Sequence, residues 1–232
     1  MQDLKSVYID LNDINAYASY VNSIGGNIRL EVGEQDSLTY IAAEKLFMRG
    51  DNDGARRSLV NYLQTFPEGA FSSNANFYLG SIAFAKKEFD EAVQRFKSVI
   101  ASGDTKFLEE SVARTAEIEY LGNDYPAALE SFKRLQIVAE NPENKQAARL
   151  GIMRCALQTG QQKDALLAAD ELLKEPKLSP ELEAEARYVR AKAYIDQKQA
   201  NKALADLKEL SKDTRTVHGA EAKYLLAQLY YD

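Results

Sequence analysis

The sequence contains no tryptophan, one cysteine (Cys155), one histidine (His218) and five prolines among 232 residues. A lone cysteine excludes an internal disulfide and any multi-cysteine metal site. A lone histidine excludes His-rich metal sites and paired-histidine acid/base chemistry. Twelve glycines and five prolines are too few for a loop-rich all-β chain. No apolar run approaches the length of a membrane span, so direct membrane insertion is not expected. Positive charge is in deficit as well: 29 Lys and Arg against 35 Asp and Glu leave a net charge of −6, with no basic stretch as a local exception. Phosphate backbones are repelled by such a surface, and nucleic acid is not an expected partner. Residues 1–5 show neither the charged start nor the apolar stretch of a secretory signal.

What is present is helix-forming. Hydrophobic residues make up 45% and charged residues 28%, enough for a sizeable core and too apolar for disorder. One pattern recurs: a short turn, an alanine, and an apolar residue four positions later. It reads Gly50-Asp51-Asn52-Asp53-Gly54-Ala55 with Leu59, then Lys87-Glu88-Phe89-Asp90-Glu91-Ala92 with Phe96. It continues with Asn123-Asp124-Tyr125-Pro126-Ala127-Ala128 and Phe132, Gly160-Gln161-Gln162-Lys163-Asp164-Ala165 and Ala169, and Lys198-Gln199-Ala200-Asn201-Lys202-Ala203 and Leu207. The alanines at 55, 92, 128, 165 and 203 lie 37, 36, 37 and 38 residues apart. Such a period signals stacked supersecondary units. Apolar positions at i, i+3, i+4 and i+7 on either side of each turn fit helices, so each unit reads as helix A, tight turn, helix B and connector.

All five prolines fall at expected helix ends or connectors. Asn141-Pro142 and Ser179-Pro180 read as an N-cap followed by proline at the first helical position, and Asp124 as the cap of a helix with Pro126 in its first turn. Close approach of helices A and B demands small residues. On helix A these are expected at Ala43, Gly80, Ala116 and Ala191, with Met153 the poor fit; on helix B they are the five alanines.

These residues resemble the tetratricopeptide repeat family. The second unit matches best through Leu79, Gly80, Ala92 and Phe96. The first supplies Ala43, Ala55, Leu59 and Pro67, and the fifth Ala191, Tyr194, Ala203 and Leu207. The resemblance covers about residues 36–231 and implies an all-α, right-handed α-α superhelix, a solenoid of antiparallel helix pairs. The expected organisation is a degenerate partial repeat and irregular connector over 1–35. Five helix pairs follow, over about 36–72, 73–108, 109–145, 146–183 and 184–219, and then the first helix of a truncated repeat over 220–232. In the first segment Asp13-Ile14-Asn15-Ala16 with Tyr20 is a worn copy of the pattern, and the stretch 25–35 is the irregular connector. The chain is thus expected to be a fragment of a larger protein, with any signal sequence outside it. The run 67–80 resembles bacterial, Bacteroides-type envelope proteins, including the Tol–Pal system coordinator and outer-membrane assembly lipoproteins. That resemblance implies protein binding in a periplasmic or cell-envelope complex.

Candidate chemistry is sparse, and no catalytic residue, cofactor or metal is assigned. His218 reads as a residue of the connector before the last helix, and Cys155 as a buried core thiol. Asp51-Asn52-Asp53-Gly54 resembles a calcium loop, but Tyr62 stands where the twelfth-position glutamate is needed, so a polar inter-helix turn is expected. Gly25-Gly26-Asn27 lacks the spacing and lysine of a phosphate loop and reads as a helix terminator. Glu109-Glu110 and Glu181, Glu183 and Glu185 sit at helix starts, where they complement the dipole.

In the family, helix A lines the concave face. That register places Tyr40, Phe77, Ala113, Leu150, Tyr188 and Tyr224 in one strip of the groove, and Glu44, Ser81, Glu117, Arg154, Lys192 and Gln228 one turn later. Asn74 and Arg114 are further polar contacts. The second strip runs from acidic to basic, suiting an extended or helical segment whose charge also changes along its length. The Lys/Asn/Arg clamp by which some members hold a C-terminal carboxylate is broken, because Tyr40 and Glu44 occupy matching positions. The expected role is a protein–protein interaction scaffold and not an enzyme. The alternatives are a structural spacer that self-associates through its uncapped C-terminal end, and an accessory module of a larger enzyme.

Overall fold

The computed structural model describes residues 2–24, 30–103 and 106–231, and the described residues form thirteen α-helices and no strand. They are α1 (Gln2–Asp10), α2 (Ile14–Ser23), α3 (Val32–Met48), α4 (Asn52–Thr65), α5 (Ser72–Ala85), α6 (Phe89–Ser102), α7 (Leu108–Leu121), α8 (Tyr125–Val138), α9 (Pro142–Gln158), α10 (Gln162–Leu172), α11 (Pro180–Asp196), α12 (Ala200–Leu210) and α13 (Val217–Tyr231). The expected all-α helical repeat is what forms. Two compact units divide the chain, residues 1–111 and 112–232.

The reversal within each pair is the same six times. Asn12, Gly50, Lys87, Asn123, Gly160 and Lys198 all have φ between 54° and 81°. Each stands two places past the last residue of a helix. The next N–H returns to a carbonyl five residues back: Asp13 to Tyr8, Asp51 to Leu46, Glu88 to Ala83, Asp124 to Glu119, Gln161 to Ala156 and Gln199 to Tyr194, at 2.8–3.0 Å. This left-handed closure satisfies carbonyls that the helix end would otherwise strand. The residue after the left-handed one is the N-cap of the next helix. Asp13, Asp51 and Asp124 accept the N–H of Ala16, Gly54 and Ala127 respectively, so the carboxyl of Asp51 in the calcium-like loop serves as a helix cap. Asn141 and Ser179 cap α9 and α11, with proline in the first turn of each, as the sequence indicated.

Two boundaries differ from the expectation. The connector was read as 25–35, but α3 begins at Val32; residues 25–29, including the glycine pair of the phosphate-like run, lie outside the described residues. Helix α13 begins at Val217 and not at Ala220, because Thr216 Oγ1 accepts the Gly219 N–H and caps it three residues earlier. His218 is therefore helical and not a connector residue.

In the first unit the seam residues Ala43, Ala55 and Ala92 are fully buried, with Leu59 and Phe96 beside them. Gly80 has the Phe96 ring where a Cβ would stand, 2.8 Å away. A buried network fixes the connector between α4 and α5. Asp36 accepts from the Tyr62 hydroxyl (2.6 Å) and the Ala70 N–H (2.9 Å), while the Tyr62 oxygen accepts the Phe71 N–H. The turn passes so close that a Cβ on Gly69 would lie 2.4 Å from that hydroxyl.

In the second unit Ala116, Ala128, Ala165, Ala191 and Ala203 are fully buried, and so is Met153. A second close approach, not foreseen from the repeat pattern, sets Gly151 of α9 under the Phe132 ring of α8, with 2.4 Å left for a Cβ. Between α10, α11 and α12 lies an ionic knot. Asp206, 2% exposed, takes both Arg190 (2.7 and 2.8 Å) and Arg187 (3.0 Å), and Arg190 reaches on to Asp170. A buried carboxylate is tolerable only with such complete pairing.

Gly80→Leu is expected to overpack the α5–α6 seam against Phe96 and lower stability by about 1–3 kcal/mol. Denaturant unfolding measures this, and an unchanged midpoint would remove the seam register for that pair.

Candidate partner-binding faces

In the first unit the A helices α3 and α5 bring together five of the predicted residues. Tyr40 and Glu44 lie one turn apart on α3, as i,i+4 spacing dictates. Glu44 Oε1 accepts the hydroxyls of Tyr40 (2.5 Å) and Tyr78 (3.0 Å), and Asn74 Nδ2 donates to the Tyr40 oxygen (3.2 Å). Tyr78 was not foreseen. It follows Glu44 by 34 residues, a separation close to one repeat, and that spacing is the signal that could have found it.

The aromatic strip is less accessible than its register suggested. Tyr40 is 2% exposed and stacked on Phe71 with centroids 4.4 Å apart, so its ring belongs to the wall of the face, and only its hydroxyl network reaches outward. Phe77 is half-buried and stacked on Phe107 at 4.0 Å. The hydroxyl of Ser81, one turn further, donates to the Phe77 carbonyl. Burial, and next the acceptor carboxylate of Glu44, push the phenols of Tyr40 and Tyr78 above their ordinary value. Tyr62 is raised likewise by burial and Asp36.

In the second unit the structure rewrites the expected charge pattern. Arg154 on α9, read as the start of the basic end, is locked bidentately through Nε and Nη2 onto the Glu185 carboxylate of α11 (2.6 and 2.7 Å). Glu185 therefore works as a tie between repeats and not only as a dipole partner. Arg114 donates to Glu117 within α7 at 3.0 Å. Internal pairing thus consumes most of the predicted gradient, whereas Lys192 on α11 stays exposed. Leu150 is half-buried on α9, and Ala113 is half-buried on α7. Tyr188 is half-buried and stacked on His218 of α13 (4.8 Å). Burial, and next Glu221, push its phenol up to about 12. Tyr224 and Gln228 are exposed one turn apart on α13 and bonded to each other at 3.0 Å. Cys155 is buried, and burial pushes its thiol up to about 11, far from a reactive thiolate.

Residues 42–105 match the family model for the tetratricopeptide repeat. No curated protein matches the chain. Among solved structures it is similar to YrrB, described as a tetratricopeptide repeat protein with an unusual peptide-binding site. The TM-score is 0.57 and the identity 18%, over 81% of this chain and 91% of that one. It is similar also to MamA, with a TM-score of 0.52 and 16% identity over 79% and 94% of the two chains. A further MamA structure, AMB-1, gives a TM-score of 0.55 at 16% identity, over 80% and 96%. At such identities the likeness establishes the fold.

The raised phenols carry a pH consequence. In the unfolded chain tyrosines lose their protons near pH 10, while Tyr40, Tyr62, Tyr78 and Tyr188 hold theirs to higher pH in the fold. The stability they contribute is complete below pH 10 and is lost as pH rises through their folded values. Thermal melts are therefore expected to drop steeply above about pH 10, with phenolate absorbance appearing in step with unfolding. A melting temperature flat from about pH 8 to about pH 12 would contradict this burial.

Proposed function

We propose that this chain is a protein-interaction scaffold that holds an extended or helical segment of a partner on the faces of its A helices. The observation that carries this reading is in the first unit, where two successive repeats set Glu44, Asn74, Phe77 and Ser81 side by side, polar groups next to half-buried aromatic rings. Interfaces favour that mixture, because rings supply buried area and fixed polar groups supply register. The described peptide-binding site of YrrB, on a similar fold, supports the same use. The run 67–80 supports a bacterial cell-envelope complex as the setting. The reading assigns no catalytic step to the chain.

Partner capture with opposite-face controls tests it. Ser81→Arg and Lys192→Glu alter the A-helix faces, while Ser98→Arg and Lys208→Glu alter exposed positions on α6 and α12. The first two variants are expected to weaken capture about tenfold or more, and the second two to leave it intact. The reverse pattern would move the binding face to the B helices.

A second reading, assembly through α13, is favoured by Tyr224, Tyr230 and Tyr231, which are 64%, 66% and 92% exposed. Light scattering that shows a monomer at every concentration would dispose of it.

A further inference from the structure

In two grooves of this chain, opposite charges join successive B helices directly. Between α4 and α6, Arg56 meets Glu88 and Glu91; between α8 and α10, Lys133 meets Asp164 at 2.7 Å. The groove between α2 and α4 is built differently. Arg57 of α4 and Asp13, the cap of α2, line one cleft there, yet no ion pair joins them, and neither forms an ion pair with any other described residue. Asp53, one turn before Arg57, is held by Lys86 instead. Asp13 spends Oδ1 on the Ala16 N–H, and its Oδ2 accepts no hydrogen bond among the described residues. A neutral bond spans the groove in place of an ion pair, from Asn12 Nδ2 to Ser58 Oγ at 2.7 Å.

The cleft has a volume of about 280 Å³. Between its two charges stand the side-chain amides of Asn15, Gln35 and Asn61, none of them bonded to a described residue. Thr39 adds a hydroxyl oxygen, and no aromatic ring lines the cleft. Arg57 and Asp13 are exposed, so a molecule from solvent reaches both; Gln35 and Thr39 are half-buried.

Opposite charges that share a cleft without meeting fit a molecule that carries both charges itself. A guanidinium takes a carboxylate through two parallel N–H bonds, and a free carboxylate oxygen takes an ammonium. Unbonded amides favour a polar group between the two, because each can donate and accept. The volume falls just short of the range for drug-sized ligands, which suits a molecule of amino-acid size. We propose that the α2–α4 cleft is a binding site for a free α-amino acid with a polar side chain, its carboxylate on Arg57, its ammonium on Asp13 Oδ2 and its side chain among the three amides. The site is built mainly by B helices and is separate from the face that carries Glu44, Phe77 and Ser81, so the two are tested independently.

Titrating the whole chain with L-glutamine, L-asparagine and L-serine, followed by amide chemical shifts, tests it. At least one is expected to give saturable shifts at Asp13, Asn15, Arg57 and Asn61. The same amino acid with its nitrogen acetylated, or with its carboxylate converted to an amide, is expected to bind about tenfold more weakly. Two variants then assign the contacts. Asp13→Asn keeps a side-chain oxygen that caps α2 equally well, and Arg57→Gln changes an exposed position on α4. Each should weaken the free amino acid about tenfold. Asp13→Asn should leave binding of the acetylated form unchanged, and Arg57→Gln should leave binding of the amide form unchanged. No saturable shift with any of the three amino acids, equal binding of the capped forms, or wild-type affinity in both variants overturns the site. If Asp13→Asn does not fold, the capped ligands on the wild type and Arg57→Gln decide.

Discussion

Everything in this chain depends on reversing direction between two helices without leaving their ends unsatisfied. Six times one residue enters the left-handed region and closes the helix, and the residue after it opens the next. Glycine or asparagine does this at four of the six turns; at Lys87 and Lys198 the conformation costs about 1–2 kcal/mol, which the surrounding pair must offset. Once the turn is fixed, the two helices lie close enough that only alanine or glycine fits the seam opposite a large neighbour. Gly80 beneath Phe96 is the tightest instance in the first unit.

The seam is apolar, but polar groups fix the order in which pairs follow one another. Asp36, Tyr62 and the backbone of residues 70 and 71 tie one connector in the first unit. Asp206 with Arg187 and Arg190 ties three helices in the second, and Glu185 with Arg154 joins α9 to α11. Each is a buried or half-buried group whose partner must arrive from another helix. These pairs specify packing as much as they stabilise it. They also remove charge from the surface, and so the A faces owe their character to the groups left outside such pairs, above all Glu44 and Lys192.

The turns, caps and seam were legible in the sequence because each is local or repeats with the period. The first residue of each of the five full turn motifs proved to be the left-handed one, whereas in the worn copy it is Asn12, one place before the motif as read; Asp124, Asn141 and Ser179 cap as read. The start of α13 was legible too, in Thr216, but an alanine-centred pattern drew the boundary to Ala220. The ionic ties were not legible. Nothing in the spacing of Arg154 and Glu185, 31 residues apart, says that their side chains converge, and the predicted charge gradient failed for that reason. The candidate face was half legible: i,i+4 spacing put Glu44 beside Tyr40, but the burial of Tyr40 under Phe71 depends on a connector whose path Asp36 sets.

Whether the A-helix faces, freed by this packing, hold the partner is read out by amide chemical-shift mapping of the chain with a captured peptide. The largest shifts are expected to cluster at Glu44, Asn74, Phe77 and Ser81 in the first unit. Shifts concentrated instead on the outer faces of α4 and α6, around Arg57, Gln94 and Ser98, would contradict it.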